Sequence, residues 1–367
     1  MLNVITVKTM RESDAHTIQE YVPSLELMYR AAMGVYKAVD WTGKRVGIVT
    51  GSGNNGGDGY ALACILADAG VTCTVFRVTD KFSQDGQHYH DLALSKGVTI
   101  VPFAEDTDLQ GYDVLVDCML GTGFSGQVKD AFRAAIKAIN NAHKAYVVSV
   151  DINSGMNGDS GKAELAVKSD LTVTIGYLKS GLFLGDAIWY VGKIVVADIG
   201  IRLIRDDFFL AATDEIIFPN TNLELNGDRT EMLTPGEAEA QLKNGETIPE
   251  LAVEMALKGE KLIRVLGRNS LVTDGYRTYF IEDGVFPEVI SSLGEASDSV
   301  FVELEQNSQK DLLSITNLVG NPLSIWYTEN RIERPSGRSN DHQSKEVSSH
   351  EYSGHAQALL RPVCSHR

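Results

Sequence analysis

The sequence predicts an α/β fold, a doubly wound and mostly parallel sheet with helices on both faces. Short apolar runs rich in β-branched residues alternate with helix-like segments over residues 1–217, which is typical of parallel strands covered by helices. Two of these runs end in glycine-rich loops, at residues 54–59 and 121–127. Because ligands of such folds bind beyond the carboxyl ends of the strands, we expect a site there.

The individual elements follow from local patterns. A stripe of apolar residues at helical spacing begins at Leu25, and Ser24 before it is a suitable N-cap. Apolar runs of four to seven residues bounded by glycine or polar residues indicate strands. By these criteria helices are predicted near residues 13–19, from Ser24, and at 59–69, 85–95 and 129–142, and strands at 45–50, 73–78, 114–120, 146–150, 171–175 and 194–197.

Composition places the chain among soluble globular proteins. Its 367 residues are 43% hydrophobic and 22% charged, and no apolar run approaches the roughly 20 residues of a membrane span. A net charge of −16 disfavours nucleic-acid binding. The four cysteines, Cys64, Cys73, Cys118 and Cys364, lack the spacing of a zinc site or disulfide framework. With no secretory signal at the N-terminus, a cytoplasmic protein is predicted.

The chain divides into three parts by pattern. We predict one domain over residues 1–220, a small and incomplete α/β segment over 221–330, and a disordered tail over 331–367. The middle segment shows helical patterns at 237–242 and 248–257 and strand patterns at 262–265 and 277–281. The tail is rich in Arg, Ser, His and Gln, so it buries too little apolar surface to fold alone.

The loop at residues 54–59 follows a strand and precedes a helix, a geometry that presents backbone N–H groups to an anion. Residues 51–56 also match the dinucleotide fingerprint. The acidic residue expected about 20 positions later is absent, and Arg77 stands near the end of that strand. An NADP-dependent oxidoreductase that reads a 2′-phosphate with Arg77 is one alternative, and a structural turn with a helix-capping Asp58 is another.

Oxygen-bearing side chains gather at three strand ends. Asp117 lies within an apolar strand, Asp151 and Ser154 follow the next one, and Asn55 and Asp58 belong to the first glycine-rich loop. A buried carboxylate is costly unless it is paired, hydrogen-bonded or bound to a cation. Oxygen donors without thiols or imidazoles suit an alkali or alkaline-earth cation. The alternative is that each aspartate caps a helix or turn.

With these motifs in place, residues 1–217 resemble the NAD(P)H-hydrate epimerase family, also called the YjeF N-terminal domain. The matching segments are residues 23–28, 51–59, 116–126, 150–155, 166–174 and 179–185. Members of that family interconvert the R and S forms of hydrated NADH or NADPH, a damaged cofactor that carries water at C6 of the nicotinamide ring. The resemblance also implies a homodimer. A non-catalytic binding or dimerisation scaffold on the same fold is the alternative.

The resemblance implies roles for particular residues. Asp151 is expected to be the proton-transfer group, and a potassium ion is expected on Asn55, Asp117 and Ser154. The expected substrate contacts are Asn54, Asn55, Gly56, Gly57, Asp58, Gly121, Thr122, Gly123, Phe124, Ser125, Gly126, Gln127 and Asp151. Asn153 stands where the family usually has proline, which is expected to loosen its loop. Lys179 is expected either to contact a substrate phosphate or to lie in a solvated loop.

A second resemblance is partial. Residues from about 230 to 285 resemble fragments of the nucleotide-dependent NAD(P)H-hydrate dehydratase, which bacterial chains often fuse after the epimerase. The glycine-rich segment that ends in the catalytic aspartate of that family is missing after Gly284. We therefore predict no dehydratase activity, and expect a degraded or truncated remnant.

Overall fold

The computed structural model describes residues 1–218, 223, 225, 227–243, 246–282 and 287–293, all of which belong to one compact unit. The tail predicted over 331–367, and residues 294–330 of the predicted middle segment, lie outside the described residues.

The helices and strands of the described residues alternate as predicted. The α-helices are α1 (Val7–Glu20), α2 (Ser24–Lys37), α3 (Asn54–Asp68), α4 (Gln84–Ser95), α5 (Asp130–Asn141), α6 (Ala187–Tyr190), α7 (Pro235–Gln241) and α8 (Ile248–Gly259). The strands are β1 (Leu2–Ile5), β2 (Val46–Thr50), β3 (Cys73–Arg77), β4 (Thr99–Pro102), β5 (Val114–Cys118), β6 (Tyr146–Val150), β7 (Leu171–Ile175), β8 (Leu178–Lys179), β9 (Lys193–Asp198), β10 (Phe208–Ala211), β11 (Thr230–Leu233), β12 (Leu262–Val265), β13 (Leu271–Thr273), β14 (Thr278–Ile281) and β15 (Glu288–Ser291).

The main sheet has eight described strands in the order β15-β9-β7-β6-β5-β2-β3-β4. Every neighbouring pair in it is parallel. Helices α2 and α3 pack on one face through residues such as Leu27 and Leu62, and α5 packs on the other through Ile136 and Ile139. Since both faces are covered, β2, β5 and β7 are buried at every position, which explains their uninterrupted apolar sequences. The predicted doubly wound fold is confirmed.

The chain leaves the centre of the main sheet in two directions. From β2 it proceeds outward through β3 and β4, and from β5 it proceeds the other way through β6, β7 and β9. The carboxyl ends of β2 and β5 therefore flank the point where the strand order reverses, which is where ligands bind in open α/β sheets.

A second, mixed sheet joins the two predicted parts of the chain. Its order is β11-β12-β13-β14-β10-β1-β8, with β10 from the first part paired to β14 from the second. Their side chains share one hydrophobic core, which includes Leu210, Phe183 and Phe280 together with residues of α8. The described part of the middle segment is thus folded against the first part, while the domain boundary at residue 220 stays a prediction.

The start of α3 differs from the expected loop. The helix begins at Asn54, not near Gly59, with Gly53 in extended conformation before it. A Cβ on Gly56 would overlap the carbonyl oxygen of Gly51, so glycine is required there by the close approach of two backbones rather than by a turn.

Candidate active site

A cavity of about 610 Å³ opens at the carboxyl ends of β2, β5 and β6. Helices α1, α2 and α3 and the loop after β5 form its walls. Of the predicted substrate contacts, ten line this cavity: Asn54, Asn55, Asp58, Gly121, Thr122, Gly123, Phe124, Ser125, Gln127 and Asp151. Gly56 and Gly57 are buried in packing behind it, and Gly126 lines a neighbouring cavity of about 390 Å³.

Asp151 is held in place by contacts from three directions. Its backbone has a positive φ of 68°, an uncommon conformation for a residue other than glycine, and its N–H donates to Val173 O at 2.8 Å. The Oδ1 atom accepts a hydrogen bond from Lys179 Nζ at 2.6 Å, and Oδ2 accepts one from the Thr122 N–H at 3.0 Å. A carboxylate so oriented, at the wall of a cavity, has the placement that proton transfer requires.

Lys179 is neither a phosphate contact at the surface nor part of a solvated loop. Its side chain is fully buried, and besides Asp151 its Nζ donates to Thr174 Oγ1 at 3.1 Å and to Ile175 O at 2.6 Å. Three acceptors satisfy its three N–H groups. Both expectations for this residue are therefore wrong, because β8 brings it beneath the end of β6.

Asp117 lies at the centre of a buried network behind the cavity. Its Oδ1 accepts from Ser154 Oγ at 2.5 Å and Met119 N at 3.2 Å. Its Oδ2 accepts from Ser149 Oγ at 3.0 Å and Ser154 N at 2.9 Å. Burial raises the pKa of the Asp117 carboxyl to about 6, and the hydrogen bonds from Ser154, Met119 and Ser149 oppose that rise. The network joins β5 to the loop after β6.

Asn55 is buried without an internal partner. Its side chain is 8% exposed, and neither its Oδ1 nor its Nδ2 makes a hydrogen bond within the described residues. The position of its side chain is close to the loop after β5, since a Cβ on Gly121 would lie 3.4 Å from Asn55 Cβ and 2.7 Å from Asp151 Oδ2. A buried, unpaired amide is costly, and an oxygen-binding ion or a ligand at this point would relieve that cost.

Asp58 and Asp14 add two more carboxyl groups to the cavity wall. Desolvation raises the pKa of Asp58 well above its usual range, with added repulsion from Asp151 and Asp14. Desolvation also raises the pKa of Asp14, Lys179 opposes that rise, and repulsion by Asp151 adds to it. Carboxyl groups in a cleft whose pKa values are perturbed by burial are candidates for a functional site.

The loop after β5 is tied to α1. The Phe124 N–H donates to Gly121 O at 3.0 Å, and Arg11 Nη2 donates to Thr122 O at 3.0 Å. The Arg11 and Lys129 side chains both line the cavity. Its mouth therefore combines backbone amides with two cationic side chains, which suits an anionic ligand.

The loop that carries Ser154 is fastened rather than loosened by Asn153. The Asn153 Nδ2 donates to Val167 O, Ser169 Oγ and Tyr190 O, each at 2.9 Å. Its Oδ1 accepts from Thr172 Oγ1 at 2.7 Å. The expectation of a looser loop is wrong, because four hydrogen bonds replace the rigidity of a proline ring.

Comparison with known proteins identifies the family. The profile of the family described as YjeF-related protein N-terminus matches residues 24–181. An NAD(P)H-hydrate epimerase of Limosilactobacillus fermentum is 36% identical over 199 residues, 53% of this chain and 95% of that protein. The chain belongs to the NAD(P)H-hydrate epimerase family.

Other relatives extend the likeness. An NAD(P)H-hydrate epimerase of Limosilactobacillus reuteri is 38% identical over 201 residues, 53% of this chain and 94% of that protein. The bifunctional NAD(P)H-hydrate repair enzyme Nnr of Coxiella burnetii is 33% identical over 222 residues, which are 59% of this chain but 43% of that protein. The crystal structure of a yeast protein, ynu0, matches 59% of this chain at 18% identity with a TM-score of 0.47. The partial dehydratase resemblance near residues 230–285 stays a prediction.

The described residues contain neither a conventional metal cluster nor a membrane-spanning helix. The described residues hold no group of three or more His, Cys, Asp or Glu side chains that is arranged to bind a metal ion. None of the described helices has the length and apolar character that crossing a membrane requires. The predicted potassium ligands are an asparagine, an aspartate and a serine. They do not form a cluster of His, Cys, Asp and Glu, so this absence does not bear on them.

The sequence patterns did not identify Arg11, Asp14 or Lys129 as residues of the site, nor the structural role of Lys179. Met10, Arg11, Asp14 and Ile18 all line the cavity, and their spacing places them on one face of α1. That mixed apolar and charged stripe was the available signal, but the helix was expected to begin only at residue 13. For Lys179 the signal would have been a lysine enclosed by apolar residues directly after a strand.

Proposed function

We propose that this protein interconverts the R and S forms of hydrated NADH and NADPH, which makes it an isomerase of nicotinamide nucleotide repair. The observation that carries the proposal is the Asp151 carboxylate, which is held at the cavity wall by Lys179 and Thr122. Membership in the epimerase family supports this reaction, and the orientation of the Asp151 carboxylate supports its role in proton transfer.

The substrate is anionic at its pyrophosphate, and the cavity mouth suits that group. The backbone amides of residues 121–127 would contact the phosphates, with Arg11 and Lys129 beside them. The first bond within α3 runs from the Gly57 N–H to Gly53 O. The N–H groups that precede Gly57 in the first turn therefore have no acceptor within the helix and are available to a ligand. Helix N-termini of this kind favour negative charge.

Potassium is part of the proposal, with Asn55, Asp117 and Ser154 as its ligands. The unpaired Asn55 amide fits such an ion, because its buried oxygen has no other partner among the described residues. The Ser154 hydroxyl lies 3.2 Å from Leu120 O, so it can turn its proton from Asp117 to that carbonyl and free a carboxylate lone pair. The bound ion would supply positive charge beside the carboxylates and the phosphates.

Asp151 would carry the proton transfer. Loss of the C6 hydroxyl as water requires a proton, and its return from a water molecule on the other face of the ring releases one. The carboxylate is also suited to stabilise the cation-like ring between those two events. Lys179 keeps this carboxylate oriented toward the cavity.

Assembly and location stay predictions. The family resemblance predicts a homodimer, and composition predicts a cytoplasmic protein that does not bind nucleic acid. None of these bears on the chemistry proposed for Asp151.

The test is the rate of R-to-S conversion of hydrated NADH, followed by chromatography or NMR with potassium present. We expect wild type to accelerate equilibration and Asp151→Asn to lose roughly 10²–10⁴-fold of that acceleration. Asparagine tolerates the positive φ at this position but leaves the buried Lys179 ammonium without its counter-ion. We therefore expect a lower thermal midpoint, and the rates are compared at a temperature at which circular dichroism shows the variant to be folded.

The alternative function, a non-catalytic binding scaffold, predicts another result. A folded wild-type protein that binds the substrate but leaves the spontaneous rate of equilibration unchanged would support the scaffold and refute the epimerase. Activity that survives intact in Asp151→Asn would leave the epimerase standing and remove Asp151 from its mechanism.

A further inference from the structure

Helix α1 presents one face to the cavity and is anchored by the other. Asp14 is on the cavity face. On the anchored face Ser13 and Thr17 are fully buried, where Ser13 Oγ accepts from Ile204 N at 3.3 Å and Thr17 Oγ1 accepts from Arg202 N at 2.9 Å. These two bonds fix the rotation of the helix, and so they fix where the Asp14 carboxyl points.

The Asp14 carboxyl is partly buried, and within the described residues it makes neither a hydrogen bond nor an ion pair. The charged groups around it are Lys179 and Asp151 from the main site, Asp58 on α3 and Arg11 one turn back on its own helix. Arg11 is committed to Thr122 O, and Lys179 has three acceptors without Asp14. The Asp14 carboxyl therefore stabilises the described part of the fold through neither a hydrogen bond nor an ion pair.

We propose that Asp14 is a second proton-transfer group of this site, which carries a proton while Asp151 is ionised. The inference rests on the proposed epimerisation and deepens it. Its geometric basis is that two carboxyl groups from different elements, α1 and the end of β6, face one cavity, and only one of them has a lysine partner.

The different roles proposed for Asp14 and Asp151 follow from the groups that surround each carboxyl. Lys179 Nζ and the Thr122 N–H both donate to Asp151, whereas no described group donates to the Asp14 carboxyl. Desolvation and the nearby Asp151 charge favour the neutral form of Asp14. The two carboxyls thus differ in their surroundings, one held by a lysine and an amide and the other free of donors among the described residues, as a general base and a general acid require.

In the proposed reaction the C6 hydroxyl leaves as water and returns on the opposite face of the ring. Asp14 donates its proton to the C6 hydroxyl, the C6–O bond breaks, water leaves, and the N1 lone pair forms a double bond to C6. A water molecule then attacks C6 from the opposite face, a C–O bond forms, and Asp151 takes the proton released. In the reverse direction the two groups exchange roles, and passage of the proton back through solvent restores the starting state.

Asp58 is a weaker candidate for this role. It lies three residues after Asn55 on α3, so its charge would depend on the ion proposed there. Asp14 is on a separate helix, outside that ligand set.

The experiment compares Asp14→Asn and Asp14→Ala with Glu20→Gln, a control that removes an exposed carboxylate from the same helix. We expect Glu20→Gln to match wild type and both Asp14 variants to lose about 10²-fold in kcat with similar thermal midpoints. Added formate should restore part of the rate to Asp14→Ala, since a small acid can replace a proton donor but not a structural side chain.

The pH profile gives a second readout. The protonated form of a carboxyl with a raised pKa is lost as pH rises, so the wild-type kcat should fall on the alkaline side. That limb should be absent from Asp14→Asn. If wild type is active and the Asp14 variants keep its rate and its pH profile, this inference is overturned. If wild type itself fails to accelerate epimerisation, the proposed function fails instead.

Discussion

The loop after β6 and the start of α3 each bury an asparagine side chain, and the two amides are in opposite situations. Asn153 makes four hydrogen bonds to residues of the surrounding loops. Asn55 makes none within the described residues. Because an unpaired buried amide costs free energy, the comparison indicates that Asn153 contributes to stability, whereas Asn55 in this arrangement does not, which fits the ion proposed beside it.

The largest loss of stability is expected when Lys179, the buried partner of Asp151, is replaced. Lys179→Met keeps the approximate length of the side chain but leaves the Asp151 carboxylate without its cation. Breaking a buried ion pair in this way costs about 3–5 kcal/mol, so we expect a clear loss in the free energy of unfolding measured by urea denaturation. Epimerisation should fall as well, because Asp151 loses its orientation.

A control for that variant is Lys162→Met, which removes an exposed lysine that pairs with Glu239 at 3.6 Å. An exposed pair contributes about 0–1 kcal/mol. Equal stability losses in the two lysine variants would contradict the burial argument.

The next effect concerns Asn153. Asn153→Ala deprives the Val167 carbonyl of its side-chain donor and leaves the Thr172 hydroxyl with Ser169 Oγ as its remaining partner. A buried group left unpaired costs about 1–3 kcal/mol. We expect a lower midpoint of unfolding whether or not potassium is present. A variant as stable as wild type would show that this network is dispensable.

The smallest effect on stability is expected for Asn55→Ala. In potassium-free buffer the free energy of unfolding should fall by less than about 0.5 kcal/mol or rise slightly, because alanine is a good helix former and no internal hydrogen bond is lost. Added potassium should stabilise wild type by mass action and leave Asn55→Ala unchanged. A stabilisation of the same size in both proteins would remove Asn55 from the ion site.

The main sheet could be predicted from the sequence because its strands are buried on both faces and read as apolar runs. Strands such as β8 and β10 were missed because they are two to four residues long and owe their conformation to distant partners. The predicted start of α3, near Gly59, is too late because glycines in sequence indicate a loop, whereas here Gly56 lies in the first turn of the helix and allows close packing on the backbone of Gly51.

Most acidic residues of the candidate site could be predicted from the sequence, but their hydrogen-bond and ion-pair partners could not. Asp117, Asp151 and Asn55 could be found because polar residues at the ends of apolar strands stand out. The burial of Lys179 and the bonds of Asn153 could not, since each depends on segments that meet only in the folded sheet. Asp14 belongs to a mixed apolar and charged stripe on α1, which becomes visible in the sequence only when the helix is taken to begin before residue 13.

The most direct test of the central claim is the initial rate of R-to-S conversion of purified hydrated NADH, measured side by side for wild type, Asp151→Asn and buffer in potassium. The account predicts that wild type equilibrates the epimers at least about 100-fold faster than buffer, and that the variant returns close to the spontaneous rate while remaining folded. A folded wild-type protein that binds the substrate and equilibrates it no faster than buffer would contradict the account.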